Sequence, residues 1–243
     1  MSRFSRYNDP VAAAEACGAH ILSLLESAVG SGAPATLAIS GGSSPVPMFR
    51  FFARTPFPWD RVQLFWVDER CVPPDHPQSN FKLANDTWLV AAKFPPGNIH
   101  RVRTELPARE AARSYADEID HWFRPQDGEM PRFDVIHLGM GADGHTASLF
   151  PGEPLIQDRR SLTATVNMPE TGQARVTLLP GVLEAARNTA MLVIGADKAK
   201  VLDAVLRGPH DAMKYPAQIA LDSAKATWFA DKAAASLLPI EWT

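Results

Sequence analysis

One histidine of the chain lies in a segment whose residue types suit acid–base chemistry. His145 follows Asp143 and Gly144 in a glycine loop that begins directly after the apolar run FDVIHL, residues 133–138. An imidazole titrates near pH ~6.5, so it exchanges protons readily at neutral pH, and a carboxylate two residues away can orient the ring. We therefore expect His145 to act as a general base with Asp143 beside it.

Other segments carry groups that suit an anion. The glycine-serine loop, which we define as Ser40, Gly41, Gly42, Ser43 and Ser44, combines hydroxyls with glycines at an expected helix start. Glycines let the backbone approach a ligand, and helix N-termini favour anions, so the loop suits a phosphate; the alternative is a plain tight turn. Candidate cationic clamps are Arg70, Arg175 and Lys198, for each of which the alternative is a solvated surface cation.

Two acidic residues, Asp68 and Glu69, stand side by side after the apolar run VQLFWV, and we expect only one of them to face a ligand. The run GMGADG at residues 139–144 formally matches the dinucleotide fingerprint GxGxxG. The acidic residue that this fingerprint requires about 20 residues downstream, at the end of a second strand, is missing. Nicotinamide binding is therefore disfavoured.

Metal and covalent chemistry have little support in the sequence. His76 and His100 have no partner at ligand spacing, and the segment Gly-x-Ser-x-Gly of a serine nucleophile is absent. Cys17 and Cys71 are too few for a disulfide framework and too far apart for a CxxC motif. We expect no cofactor and no metal, and hydrolysis, if it occurs, by activated water.

The chain has 243 residues and a net charge of −3, which gives no electrostatic footprint for nucleic acid. Apolar runs stay well short of the ~18 residues of a membrane span. The first residues lack the apolar core of a signal peptide. These features predict a cytoplasmic protein that binds neither nucleic acid nor membrane.

Short apolar runs alternate with helical patterns, which predicts an α/β fold: a Rossmann-like, mainly parallel sheet flanked by helices. We expect one domain over residues 1–243, with any small inserted lobe near 95–110 or 125–132, and a short C-terminal helix after the last strand. In open parallel sheets ligands bind beyond the carboxyl ends of the strands, where the candidate loops would converge. Strands are predicted at residues 35–40, 62–67, 133–138, 162–166, 176–179, 189–194 and 226–229.

Taken in order, the unusual segments resemble the 6-phosphogluconolactonase family over about residues 10–235. The related glucosamine-6-phosphate deaminases share Ser-Gly-Gly and Asp-Gly-His, but they differ after Asp68-Glu69 and after His145. Ser44 departs from the family, which usually has threonine there, yet it keeps the hydroxyl. The segments that carry the resemblance are SGGSSP at 40–45, DERCVP at 68–73, SN at 79–80, LGMGADGHTASLFPG at 138–152, RVT at 175–177 and GADK at 195–198.

This resemblance implies hydrolysis of 6-phospho-D-glucono-1,5-lactone to 6-phospho-D-gluconate, the second step of the oxidative pentose phosphate pathway, without cofactor or metal. The alternatives are a glucosamine-6-phosphate isomerase or deaminase, which would use an acid at Asp68, and a non-catalytic sugar-phosphate sensor. The expected partner is a small sugar phosphate. The chain is expected to be a monomer or a small homo-oligomer.

Roles for individual residues follow from the same resemblance. His145 takes a proton from water and later gives it to the leaving ring oxygen. The loop N–H groups or Arg70 stabilise the oxyanion, and Asp143 or Asp68 orients the imidazole or the sugar hydroxyls. The phosphate is held by the glycine-serine loop, Arg175 and Lys198.

Overall fold

The computed structural model describes residues 3–126, 128–168, 171–223 and 225–239. Within them the strands are β1 (Arg3–Tyr7), β2 (Ala35–Ile39), β3 (Val62–Trp66), β4 (Asp68–Arg70), β5 (Ile99–His100), β6 (Val135–Gly139), β7 (Thr163–Asn167), β8 (Ala174–Leu178), β9 (Thr189–Val193) and β10 (Ala226–Asp231). The α-helices are α1 (Pro10–Val29), α2 (Val46–Arg54), α3 (Asn80–Ala84), α4 (Ala108–Phe123), α5 (Pro180–Ala185), α6 (Ala199–Arg207) and α7 (Ile219–Asp222).

The main sheet has seven strands in the order β1-β10-β9-β6-β2-β3-β5, and neighbouring strands pair in parallel. Strands β2, β3 and β9 are buried along their whole length, as expected when helices cover both faces of a parallel sheet. One core contains residues of α1 and α2, and the other contains residues of α4, α5 and α6. The predicted α/β fold is confirmed.

A second, three-stranded sheet has the order β4-β8-β7 and is antiparallel. Its strand β4 follows β3 after a single residue, Val67, whose carbonyl accepts the backbone N–H of Leu178 at 2.8 Å. The small sheet is therefore built from residues 68–70 and 163–178. A small lobe was expected near 95–110 or 125–132; no described residue of these stretches belongs to this second sheet, and residues 99–100 form the edge strand β5 of the main sheet.

Helix starts follow local signals. Asp9 accepts the backbone N–H of Ala12 at 2.9 Å ahead of Pro10, and Ser79 accepts that of Lys82 at 3.1 Å. The predicted helix after β10 is wrong, because residues 232–237 form turns; residues 240–243 lie outside the described part. In the described part of the chain, none of the helices has the length and apolar character that a membrane crossing needs.

Four neighbouring strands of the main sheet, β9, β6, β2 and β3, end at the same edge. Each is followed by one of the segments that carried candidate site residues: residues 195–198 after β9, 140–145 after β6, 40–44 after β2 and 68–70 after β3. The topology thus brings four separate stretches of sequence to one rim.

Candidate active site

A cleft opens at this rim, and every predicted site residue except Asp143 lines it. The glycine-serine loop forms one wall, and β4 and β8 bring two arginines to another. Gly139, the last residue of β6, and Gly141 and His145 of the loop after it also lie in the lining. The predicted residues in the lining are Ser40, Gly41, Gly42, Ser43, Ser44, Asp68, Arg70, His145, Arg175 and Lys198.

Asp143 reaches the site through His145. Its Oδ1 lies 2.6 Å from His145 Nδ1 and also accepts the His145 backbone N–H at 3.1 Å. Partial burial would raise the pKa of the Asp143 carboxyl, but these hydrogen bonds from His145 outweigh it and lower the pKa to about 2. The ionised carboxylate thus accepts a hydrogen bond from the Nδ1–H of His145. The lone pair of Nε2 is then available to act as a base.

Glycine is required beside this pair. A Cβ atom at Gly141 would lie 2.1 Å from His145 Nδ1 and 2.5 Å from Asp143 Oδ1, so only glycine leaves room for the hydrogen bond. The His145 ring also packs against Phe150, with ring centroids 4.8 Å apart. Steric and hydrogen-bond contacts together fix the orientation of the imidazole.

The glycine-serine loop joins β2 to α2 and needs glycine at two positions. Gly42 has a φ of +90°, and a Cβ atom at Gly41 would lie 1.9 Å from Asn80 Oδ1. The helix begins at Val46 without a side-chain cap, but two prolines at its start have no N–H, and the Val46 N–H donates to the Ser43 carbonyl at 3.3 Å. The donors at this point are therefore the N–H groups and hydroxyls of the loop itself. These groups suit an anion, as the sequence indicated.

Ser40 uses its donors within the protein. Its Oγ donates to the carbonyl of His137 at 3.0 Å, and its backbone N–H points at His137 Nδ1 at 3.4 Å. Ser40 is buried, with 6% of its surface exposed. Ser40 lies in the cleft lining, so its contact with a phosphate stays a prediction, while both of its donors are engaged by His137.

Of the two adjacent acids, Asp68 lines the cleft and Glu69 does not. Asp68 Oδ2 accepts the Ser148 hydroxyl at 2.8 Å. Glu69 instead accepts the backbone N–H groups of Asn80 and Phe81, both at 2.7 Å, and the Ser79 hydroxyl at 3.2 Å. Burial raises the pKa of Glu69 against these hydrogen bonds. Glu69 holds the segment after β4 in place.

Three cations meet in the cleft. Arg70 and Arg175 lie opposite each other on β4 and β8. The Arg70 guanidinium donates to the Gln78 carbonyl at 2.7 Å, and that of Arg175 lies 5.7 Å from the Phe150 ring centre. Lys198 Nζ lies 2.8 Å from the exposed carboxylate of Asp197. The lining thus has three cationic side chains against one carboxylate, that of Asp68, on a chain whose net charge is −3.

Two further residues of the cleft were not predicted as site residues. Asn80 donates to the Asp68 carbonyl at 2.8 Å, while its buried Oδ1 has no hydrogen-bond partner among the described residues. His137 is 1% exposed and lies in the lining. The available signal for His137 was a histidine inside an apolar strand. No cluster of three or more His, Cys, Asp or Glu in the described ranges could hold a metal ion.

Comparisons with known proteins show the family to which the chain is similar. The sequence model of the family described as glucosamine-6-phosphate isomerases/6-phosphogluconolactonase matches residues 8–228. The chain is 37% identical over 222 residues to a 6-phosphogluconolactonase of Nostoc sp., covering 90% of this chain and 91% of that protein. It is 38% identical over 200 residues to the one of Treponema pallidum, covering 81% and 83%.

A solved structure extends the similarity to the fold. The crystal structure of 6-phosphogluconolactonase from Thermotoga maritima superposes with a TM-score of 0.83 at 30% identity. The match covers 96% of this chain and all of that one, at 100%. The similarity therefore includes both sheets and the rim that carries the cleft.

Proposed function

The chain belongs to the family of glucosamine-6-phosphate isomerases and 6-phosphogluconolactonases, and from this premise we propose how its cleft acts on substrate. The chain is an enzyme, a hydrolase that converts 6-phospho-D-glucono-1,5-lactone to 6-phospho-D-gluconate in the pentose phosphate pathway. The observation that carries our mechanism is the pairing of His145 with Asp143 inside a positively charged cleft.

In the first step His145 Nε2 takes a proton from a water molecule, whose oxygen forms a bond to the lactone carbonyl carbon. Asp143 supports this step because its carboxylate holds the proton on Nδ1 and stabilises the imidazolium that forms. The carbonyl π electrons move to the carbonyl oxygen, which becomes an oxyanion. The Arg70 guanidinium, in the cleft lining, is our candidate to stabilise that charge.

In the second step the oxyanion collapses and the bond from the carbonyl carbon to the ring oxygen breaks. Protonated His145 gives its proton to that oxygen, which becomes a hydroxyl group. The new carboxylic acid then loses its proton to solvent. The lactone also opens spontaneously in water, so a positioned base with one oxyanion donor supplies the modest acceleration that is needed.

The phosphate group is assigned to the glycine-serine loop, Arg175 and Lys198. The backbone N–H groups and hydroxyls of the loop, together with two cations, fit a dianion that the molecule's overall charge repels. Asp68, held by Ser148, is placed to accept hydrogen bonds from sugar hydroxyls. This arrangement separates binding of the phosphate from chemistry at the carbonyl.

We propose also that the chain acts as one domain, as a monomer or small homo-oligomer, in the cytoplasm and without nucleic acid. The continuous core supports the first point, because Val176 and Leu178 of the small sheet pack in the same cluster as Ile136 and Leu138 of the main sheet. Sedimentation of the full chain tests the oligomeric state: a large assembly would contradict it.

Turnover of the lactone tests the function. The lactone is generated in situ, and its loss is followed with the enzyme and without it. We expect a rate well above the spontaneous one and no ammonia release from glucosamine 6-phosphate. Loss of the lactone at the spontaneous rate would overturn the function, and ammonia release would favour the deaminase activity of the same family.

A further inference from the structure

His137 is a buried titratable residue that the mechanism above does not use. It lies on β6, a central strand of the main sheet, two residues before the strand ends at the cleft. Its side chain is almost fully buried, yet it belongs to the cleft lining. Both neighbours of His137 in the sequence, Ile136 and Leu138, are apolar core residues, so the histidine is an exception in its own strand.

The structure determines which ring nitrogen of His137 carries the proton. The backbone N–H of Ser40 points at Nδ1, so Nδ1 offers its lone pair and the proton is on Nε2. Complete burial lowers the pKa of this imidazole to about 3, which keeps the ring neutral at neutral pH. His137 therefore presents one N–H donor in a fixed orientation.

This donor has no acceptor in the part of the chain that the structure describes. Among the described residues nothing accepts a hydrogen bond from His137 Nε2, whereas most buried polar groups in proteins are paired. Leaving a buried donor unpaired costs free energy of folding, which an acceptor from a bound ligand would restore. Within a cleft built for a sugar phosphate, such an acceptor is an oxygen atom of the substrate.

The contacts of Ser40 indicate which oxygen atom of the substrate accepts the hydrogen bond from His137. Ser40 was expected to contact the phosphate, but both of its donors point at His137. Ser40 is also the first residue of the glycine-serine loop and continues directly into Gly41 and Gly42. His137 thus lies beside the first residue of the loop that we assign to the phosphate, and Ser40 contacts its ring.

We propose that His137 is a phosphate-binding residue whose neutral Nε2–H donates a hydrogen bond to a phosphate oxygen of the substrate, with Ser40 as its positioning residue. This inference rests on the proposed function, because it takes the phosphate site from it. A neutral donor binds a phosphate without a second buried charge in the floor of the cleft. His137 complements Arg175 and Lys198, which supply the charge.

Binding measurements test this without turnover. We expect His137→Leu to weaken binding of inorganic phosphate and of 6-phospho-D-gluconate by about 10-fold each, measured by calorimetry. kcat should fall by less than about threefold, because the base is intact. The melting temperature should change by only a few degrees, because leucine removes an unpaired buried donor but also the Nδ1 acceptor of the Ser40 N–H. His137→Gln, which keeps an N–H donor, should recover part of the affinity.

Thr189→Val is the matched control. Thr189 is also buried, its hydroxyl has no hydrogen-bond partner within the described part of the chain, and it lies on the neighbouring strand β9, away from the cleft. We expect this variant to bind phosphate as the wild type does. Equal weakening by both substitutions would mean a general effect of core changes and would overturn the proposal.

Three further results would overturn the proposed role of His137 in binding phosphate. Unchanged affinity of His137→Leu for inorganic phosphate overturns the proposal, and so does weakening seen with 6-phospho-D-gluconate alone, which would place the donor at the sugar. If the variant fails to fold, the Nε2–H resonance of the wild type is followed during a phosphate titration, and an unmoved resonance overturns it. Since these readouts use binding, a failure of lactone hydrolysis would be seen separately.

Discussion

At the scale of single residues, His145 and Asp143 are the pair that we propose to carry out the chemistry. The carboxylate fixes the proton on Nδ1, so Nε2 is the basic nitrogen. Arg70, Arg175 and Lys198 contribute charge in the same cleft. His145, Asp143 and Lys198 stand out in the sequence because they lie in glycine-containing segments that follow strands. The roles of Arg70 and Arg175, by contrast, were assigned through the family resemblance.

The Asp143 carboxylate should influence the pH dependence of catalysis, because it stabilises the protonated form of the His145 imidazole. Its pKa of about 2 lies below that of an unperturbed aspartate, so it is ionised above about pH 3 and does not titrate in an ordinary assay range. We expect Asp143→Asn to lower kcat/KM by about 10²-fold and to shift its acid limb to lower pH, because the imidazolium loses its anionic partner. A pH series of lactone hydrolysis, corrected for the spontaneous rate, measures this.

The exposed Asp197→Asn is the control for that series, since Asp197 pairs with Lys198 and not with the histidine. Its acid limb should coincide with that of the wild type. An unmoved acid limb in Asp143→Asn would show that the carboxylate does not act on the general base.

Lys198 should contribute to binding and not to chemistry. We expect Lys198→Ala to raise KM by about 10-fold with little change in kcat, because a charge-assisted hydrogen bond to the phosphate is lost. Lys200→Ala is the matched control: Lys200 is exposed on the following helix α6 and does not line the cleft. An unchanged KM in Lys198→Ala would remove Lys198 from the phosphate site.

Asn80 and His137 mark the limit of residue-scale prediction. The position of Asn80 depends on Glu69, whose carboxylate accepts a hydrogen bond from the Asn80 backbone N–H. It also depends on Gly41, which leaves room for the Asn80 side chain. His137 depends on Ser40, 97 residues away. Neither contact has a signal in local sequence, because both join segments that only the folded sheet brings together.

At the scale of elements, the glycine loops after the strands position the reactive groups. The loop after β6 accommodates the His145–Asp143 pair only because Gly141 has no side chain. In the loop after β2, Gly42 has a φ in the left-handed region. Loop shape is thus as necessary to the site as the charged side chains are.

Replacement of Gly141 should disrupt the catalytic pair. A Cβ atom there would overlap His145 Nδ1, so the ring must move. We expect Gly141→Ala to lower kcat by about 10²-fold, since small displacements of a catalytic group have effects of that size. Gly97→Ala is the control, because a Cβ atom at Gly97 meets nothing within 4 Å. Near-normal kcat in Gly141→Ala would show that the ring orientation is unimportant.

Elements with apolar runs were predicted, and polar ones were missed. The strands β2, β3 and β9 are buried apolar runs that local sequence reveals. The strand β1 has the sequence RFSRY and β4 is DER. They become strands only by pairing with β10 and β8, which follow more than 100 residues later. Non-local pairing of this kind leaves no periodic pattern in a short polar segment.

At the scale of the whole molecule, a net charge of −3 opposes an anionic substrate. The fold offsets this repulsion by placing cationic side chains of β4, β8 and the segment after β9 at one rim. Attraction between such a patch and a phosphate is screened by salt. The ionic strength of the assay therefore tests whether the patch binds the substrate.

We expect KM for the lactone to rise by about threefold when the salt concentration increases from about 0.05 M to 0.5 M, with kcat unchanged. Lys198→Ala should show a smaller rise, because one of the screened charges is gone. Steady-state kinetics at several salt concentrations provide both values. A KM that does not respond to salt would contradict the role of the charged rim.

The most direct test of the central claim compares chemistry and binding in His145→Ala. Lactone hydrolysis is measured against the spontaneous rate, and the dissociation constant of 6-phospho-D-gluconate is measured by calorimetry. We predict that kcat falls by about 10³-fold, while the dissociation constant stays within about threefold of the wild-type value. Near-normal turnover by this variant would contradict the account, because another residue would then be the general base.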